Sequence, residues 1–367
     1  HELYSTWTET DLQALKNNIR CLRDITGVRV MAVVKANGYG HGAIPMARSA
    51  IEGGAAWLGV ARIEEALELR YAKIQEPILL LGYTPLQRFR EAIENGISLT
   101  VWDKVQVDAA EKTASSLGKV GLLHLKVDTG MNRLGVKSEE ALEMAAFIRS
   151  KPNLLFEGIF THFARADEAD RYFADTQEKS FTRVVESLEK ENLLPPWVHA
   201  CNSAGALACP GAAFNMVRAG ISIYGLHPSP QCPLPDGFQP VLSWKSVISA
   251  IKYVEPGQGV SYGHIYVCTK REKVGTVPVG YADGFRRVSG NEVLVAGKRA
   301  PVIGRVCMDQ LMISLDHIPE ANTGDEVVLL GKQGEDQITA EEIAARWGTI
   351  NYEVTCGIGA RVPRLPF

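Results

Sequence analysis

Apolar residues in the first two-thirds of the chain come in short unbroken blocks separated by segments of helical periodicity. The blocks are "VRVMAVVK" (28–35), "WLGVA" (57–61), "PILLLGY" (77–83), "ISLTVWD" (97–103), "LLHLKVD" (122–128), "FEGIFTHF" (156–163), "WVHACNS" (197–203) and "MVRAGISIYG" (216–225). Between them lie patterns such as "ARIEEALELRYAK" and "SEEALEMAAFIRSK". Strands covered by helices are buried on both faces, so they read as continuous apolar runs instead of alternating ones. Eight strand–helix units predict a closed parallel (β/α)8 barrel, with an open doubly wound sheet as the alternative.

The pattern breaks after Gly225. "LHPSPQCPLPDGFQP" is rich in proline and polar residues, as a linker is. Beyond it the apolar runs are short and β-like: "SVISAIKYV", "KVGTVPVGY", "EVLVAG", "APVIGRVCMD" and "DEVVLLG", with turn signals such as "EPGQG" and "NTGDE" between them. "TAEEIAARWG" predicts one late helix with Thr339 as its N-cap. The fold class is therefore α/β: an N-terminal (β/α)8 TIM-type barrel over residues 1–235, then a mostly β C-terminal domain over residues 236–367. The first residues, "ELYSTWTE", are β-like, which makes residues 1–8 a candidate strand of the C-terminal domain.

Composition narrows the function classes. The 367 residues are 46% hydrophobic, enough for a packed core, and the net charge of -3 comes from 39 basic and 42 acidic residues mixed along the chain. The absence of a basic block argues against nucleic acid as a partner. No stretch reaches the roughly 20 apolar residues of a membrane helix, and no signal peptide is visible. Seven cysteines are scattered without a C-x-x-C pair. That points to reduced thiols in a cytoplasmic protein and to no metal site.

Barrel enzymes place their chemistry at the C-terminal strand ends. The polar residues there are Lys35 and Tyr39, then Lys126, Asp128 and Arg133, then His162, Asn202 and Ser203, and last Arg218. A lysine between a hydrophobic strand and the glycine-rich "ANGYGHG" is partly desolvated, which lowers its pKa and frees its amine to attack a carbonyl. Taken by itself, Lys35 reads first as a lysine snorkelling its ammonium out of the barrel mouth. Arg218 lies inside an apolar strand just before Gly220 and Ile221, and "CNSAG" adds a hydroxyl. Bare N–H groups at a glycine turn suit a phosphate. A phosphate cradle and a reactive lysine in one mouth suggest pyridoxal 5′-phosphate (PLP), although barrel phosphate sites serve many ligands.

Together "AVVKANGYGHG", "KVDTGMNRLG", "FTHFARAD", "NMVRAGISIYG", "GVSYGH", "PVGYADG", "RVCMDQ" and "INYEV" resemble the alanine racemase family, in order and over essentially the whole chain. The resemblance implies a PLP-bearing barrel, a C-terminal β domain and a head-to-tail homodimer that interconverts L- and D-alanine, supplying D-alanine for peptidoglycan. Lys35 then matches the PLP lysine. Tyr39, Ser203, Gly220, Ile221 and Tyr352 match phosphate contacts, and Arg218 matches the arginine facing the pyridine nitrogen. Arginine keeps its proton, so the ring nitrogen stays unprotonated and the cofactor is a weaker electron sink. Racemisation removes a proton from one face of Cα and returns it to the other, most simply with one group per face. Lys35 matches the base for the D-enantiomer and Tyr262 the base for the L-enantiomer. His162 matches a residue beside that tyrosine that bonds Arg218. Arg133 and the backbone N–H of Met308 match substrate-carboxylate contacts. Lys126 matches a lysine that is often carbamylated and orients that arginine, and Tyr281 matches an entryway residue. Tyr262 lies in the second domain, and the family meets this by pairing one subunit's barrel with the partner's β domain.

Bland alternatives stand beside these roles. Tyr281 reads equally as an ordinary strand tyrosine, and His162 by itself as a satisfied core histidine. His41 and Asp309 take no role, and "EEALELR" and "SEEALEM" read as solvated helix faces. Rival functions are the serine racemase catalytic domain of a longer protein, a non-catalytic PLP-binding protein, and a basic amino-acid decarboxylase. Serine-selective relatives tend to carry a smaller polar residue at the position of Tyr352. The carrier lacks a β domain, and the decarboxylases lack this lysine motif and the arginine at the ring nitrogen.

Overall fold

The computed structural model describes residues 3–367; residues 1 and 2 of the candidate first strand lie outside them. The chain divides into two compact units, Gln13–Gln239 and Pro240–Phe367, the second joined by the N-terminal residues through Leu12.

The first unit is a parallel barrel. Its strands lie side by side in the order Met216–Ala219, Arg29–Val33, Trp57–Val60, Ile78–Leu80, Ser98–Val101, Gly121–Asp128, Leu154–Phe160 and Trp197–His199. Each of the eight apolar runs thus becomes one strand. Asn215 N–H donates to Val198 O at 3.3 Å and Arg218 N–H to Cys201 O at 2.9 Å, which draws the last strand against the one before it and nearly closes the ring. Met31, Trp57, Leu79, Phe160 and Met216 form one buried cluster across the strands. Helices return the chain between strands. The helix Lys104–Leu117 starts where Asp103 and Gln106 cap each other reciprocally and stops at Gly118, whose φ of 60° ends it. No helix among the described residues is long and apolar enough to cross a membrane.

The second unit is mostly antiparallel sheet. Its strands run in the order Ala250–Val254, Glu272–Val277, Leu311–Ser314, Lys298–Ile303, Glu292–Val295, Glu326–Gln333, Leu242–Val247, Thr6–Thr10 and Arg364–Pro366. Thr6–Thr10 pairs antiparallel with Leu242–Val247 and parallel with Arg364–Pro366, so both ends of the chain share one sheet. The late helix spans Ala340–Trp347, and Thr339 Oγ1 accepts the Glu342 N–H at 3.1 Å.

Candidate active site

The loop after the first barrel strand is a left-handed turn. Five consecutive residues from Ala36 to Gly40 have positive φ: 52°, 54°, 61°, 53° and 85°. Gly38 N–H donates to Val34 O at 2.8 Å and Gly40 N–H to Ala36 O at 3.0 Å, so the turn is hydrogen-bonded like a helix of opposite hand. Its entrance is held from outside: the Glu65 carboxylate accepts the Ala36 N–H at 2.7 Å and the Ala61 and Arg62 N–H groups at 2.8 and 3.0 Å. Glu65 is therefore not part of a merely solvated helix face, as "EEALELR" suggests.

Tyr39 leaves this turn and stacks on Tyr224 with ring centroids 4.9 Å apart. Tyr224 in turn donates to Val33 O at 3.0 Å. The Tyr39 hydroxyl lies where a side chain at Gly220 would begin, 2.2 Å from the position of an added Cβ. Beside it, Ser203 Oγ accepts from Gly220 N–H, Ser222 N–H and Ser222 Oγ at 3.0, 3.2 and 2.9 Å. Its lone pairs are taken, so its own hydrogen is left to seek an acceptor. Asn202, one residue earlier, caps the helix Ser203–Ala208 by accepting Gly205 N–H at 2.8 Å. His41 is packing: its Nδ1 bonds Tyr39 O at 3.0 Å and its ring lies 4.5 Å from that of Tyr224.

Arg218 is 4% exposed. Its Nη1 donates to His199 Nδ1 and O, at 2.8 and 3.2 Å. Its Nη2 bonds Thr161 O, Ala200 O and His162 Nδ1 at 2.7, 2.9 and 3.1 Å. Nε–H makes none of these bonds and is the donor left for a ligand. Burial brings the guanidinium down to about 10, helped by Arg133, and it remains a cation at neutral pH. Burial first, and then the Arg218 charge, hold His199 and His162 well below the usual histidine range. Both rings are neutral, and each turns a bare nitrogen to Arg218. His199 Nε2–H then donates to His124 Nδ1 at 3.1 Å, and His124 Nε2–H to Glu157 at 3.2 Å. Ser98 completes the row with a 2.5 Å bond to the same carboxylate oxygen. This row runs through the barrel interior, and none of its members beyond Arg218 and His162 stands out in the sequence.

Lys126 is buried, its Nζ 4.5 Å from the centre of the Phe160 ring. Burial, then Arg218 and Arg133, push its pKa well below the ordinary lysine value, against the pull of Asp128. Arg133 is exposed on a loop shaped by Asp128, whose carboxylate accepts Gly130 and Asn132 N–H, each at 3.0 Å. Buried Gln177 ties the neighbouring loops together through Thr129 Oγ1, His162 O and Ala164 N–H, a role invisible in its amphipathic helix. The charges of Arg218, Lys126, Arg133 and Lys35 all reach His162. The barrel mouth thus gathers Lys35, Tyr39, Lys126, Arg133, His162, Ser203, Arg218, Gly220 and Ile221.

The remaining candidates lie in the second unit. Tyr262 follows Ser261, which donates to Arg305 O at 2.5 Å. Tyr281 N–H donates to Cys307 O and Ala282 N–H to Met308 O, at 3.1 and 3.0 Å. Gly280 packs so tightly on Met308 O that an added Cβ would come within 2.2 Å. Arg361 fastens the same place by bonding Asp283 and Asp309 at 2.7 and 2.6 Å. The 305–308 segment thus links the loops of Tyr262, Tyr281 and Met308. Tyr352 lies on the helix Asn351–Cys356, whose end at Gly357 packs against Gly284, just after the Tyr281 turn.

The barrel mouth fits PLP: a lysine at the first strand end, a hydroxyl and glycine cradle shaped for a phosphate, and a buried arginine with its Nε–H uncommitted. Such a barrel with an appended β unit defines the class of barrel-type PLP enzymes. Residues 10–228 match the family described as alanine racemase, N-terminal domain, and residues 241–366 the alanine racemase, C-terminal domain. The alanine racemase of Desulfovibrio desulfuricans is 46% identical over 363 residues, 98% of this chain and 97% of that one. The crystal structure of alanine racemase from Bacillus anthracis with bound L-Ala-P superposes with a TM-score of 0.93 at 42% identity, covering 99% and 95% of the two chains. The histidine racemase of Leuconostoc mesenteroides shares the fold at a TM-score of 0.91 and 30% identity, covering 99% and 98%. The chain belongs to the alanine racemase family. It interconverts L- and D-alanine with PLP as its cofactor.

Proposed function

We propose that Lys35 and Tyr262 are the two bases of the racemisation, serving the D- and L-enantiomers respectively. PLP bound at Lys35 would act as the electron sink that makes the substrate α-hydrogen acidic. Tyr39, Ser203, Gly220, Ile221 and Tyr352 hold its phosphate, and Arg218, backed by His162, faces its ring nitrogen. Arg133 and the Met308 N–H hold the substrate carboxylate, Lys126 steadies Arg133 once carbamylated, and Tyr281 lines the way in. The active form is a cytoplasmic homodimer in which Tyr262 and Met308 serve the partner's barrel, and its product supplies D-alanine for peptidoglycan.

The reading is supported above all by the setting of Arg218. A permanent cation whose Nη groups meet only carbonyls and neutral imidazoles does not hand a proton to the ring nitrogen. A cofactor bound there would be a weaker electron sink, which would favour return of the proton over side reactions. The test is Tyr262→Phe in deuterated solvent. Racemisation should fall about 10²- to 10⁴-fold in both directions, while Lys35 continues to exchange the α-hydrogen of D-alanine. Equal loss of exchange from D- and L-alanine would contradict the two-base assignment.

A further inference from the structure

We infer that Glu65 is a positioning residue for the cofactor lysine, acting as an external clamp on the left-handed turn that separates Lys35 from Tyr39. The inference rests on the assignment of Lys35 as the PLP lysine.

The turn is costly by itself. Left-handed backbone crowds Cβ against the following carbonyl, a penalty only glycine escapes. Ala36 and Tyr39 adopt it with φ of 52° and 53°, and Asn37 with 54°. Such a conformation persists only when its surroundings over-determine it. The far end of the turn is held by Asn37, whose Oδ1 accepts Ala43 N–H at 2.8 Å and whose carbonyl accepts Gly42 N–H at 2.8 Å. The near end is held by Glu65. One oxygen takes Ala36 N–H at 2.7 Å, and the other takes Ala61 and Arg62 N–H at 2.8 and 3.0 Å. The bonds to Ala61 and Arg62 fasten Glu65 to the start of its own helix, Ile63–Tyr71. The bond to Ala36 reaches across to the neighbouring strand end and has no part in capping that helix. A carboxylate accepts on both oxygens at once and makes the stronger, charge-assisted bonds. The same side chain therefore references the residue after Lys35 to the second strand–helix unit of the barrel. With the turn released, Lys35 and the Tyr39 hydroxyl lose their fixed spacing.

Glutamine cannot do this, because its NH2 would meet one of the facing N–H donors. In Glu65→Gln, PLP should dissociate from the holoenzyme roughly ten- to a hundredfold more readily, the range of one charge-assisted hydrogen bond. Amide hydrogen exchange over residues 35–42 should quicken. Adding Ala36→Gly removes the Cβ penalty, so the double variant should recover most of the PLP affinity. Loss of the helix cap alone would not be repaired at Ala36. Glu65→Asp, one methylene too short for both loops but still charged, gives the same test if Glu65→Gln does not fold. Equilibrium dialysis of PLP and exchange mass spectrometry provide the readouts. Unchanged PLP affinity in Glu65→Gln, or weakening that Ala36→Gly leaves untouched, would overturn the clamp. Borohydride reduction and peptide mapping separate the two levels: PLP trapped on a lysine other than Lys35 would overturn the underlying assignment instead.

Discussion

The two units prepare their functional residues in opposite ways. In the barrel, Arg218, Ser203 and Lys126 are 4%, 4% and 6% exposed, and bonds from several strand ends fix Arg218 and Ser203. In the β unit, Tyr262 and Met308 are 66% and 53% exposed, on loops whose backbones are tied down while their side chains face outward. The barrel half is set by its own core. The other half leaves its side chains exposed, and under the proposed roles of Tyr262 and Met308 they need a covering surface before they can work. A second copy of the chain meets that need in the proposal above.

The largest expected effect tests the division of labour. Lys35→Ala should lose at least about 10⁴-fold in activity and all borohydride-reducible cofactor. Mixing it with Tyr262→Phe and letting subunits exchange should restore activity, because half of the dimers are hybrids and each hybrid carries one site with both bases. The expected recovery is about a quarter of the wild-type level. A mixture as inactive as its components would place both bases in one subunit.

Acid should strike the barrel first. His124, His162 and His199 are all depressed below the ordinary histidine value by burial. As pH falls through about 6.5, the unfolded chain takes up protons that the folded one refuses. Stability is therefore full above that pH and declines below it, by up to about 1.4 kcal/mol per histidine per pH unit. Hydrogen exchange between pH 7.5 and 5.5 should show the barrel strands losing protection ahead of the β sheet. Loss that begins in the sheet would mean these rings do not govern acid stability.

Tyr352→Asn sharpens the question of what the β unit selects. If this ring walls the substrate methyl, its removal should raise the serine-to-alanine ratio of kcat/KM by roughly ten- to a hundredfold, about 1.4 to 2.7 kcal/mol. An unchanged ratio would move the wall to another residue. The smallest effect belongs to the distant end of the histidine row. Glu157→Gln removes the charge that draws the row together, and kcat/KM should drop by about three- to tenfold, or 0.7 to 1.4 kcal/mol, with the unfolding midpoint as control. A fall in stability without one in kcat/KM would make the row purely structural.

What could be read from the sequence follows from the distance over which each feature is encoded. Eight barrel strands were legible because a strand buried on both faces writes itself as an apolar block. Lys35, Ser203 and Arg218 were legible because they interrupt or end such blocks. Glu65 was not, since at the third position of a charged helix it looks like any solvated carboxylate, and its partner Ala36 is 29 residues away. His124, His199 and Glu157 were hidden inside strand patterns, 75 and 33 residues apart in their pairings. Glycines at 38 and 40 announced a turn, but its left-handed run through Ala36 and Tyr39 depends on tertiary support that no local pattern records.

The strand Thr6–Thr10 has a consequence for the order of assembly. It is made before the barrel, yet both of its neighbours, Leu242–Val247 and Arg364–Pro366, come after it. On the ribosome the barrel has all its strands while this segment still has bare edges on both sides. Domains emerging first generally fold first, so the barrel closes as a loop between the two parts of an unfinished sheet. A strand made before the barrel is among the last to be paired, and until then it is an open edge for a chaperone to guard.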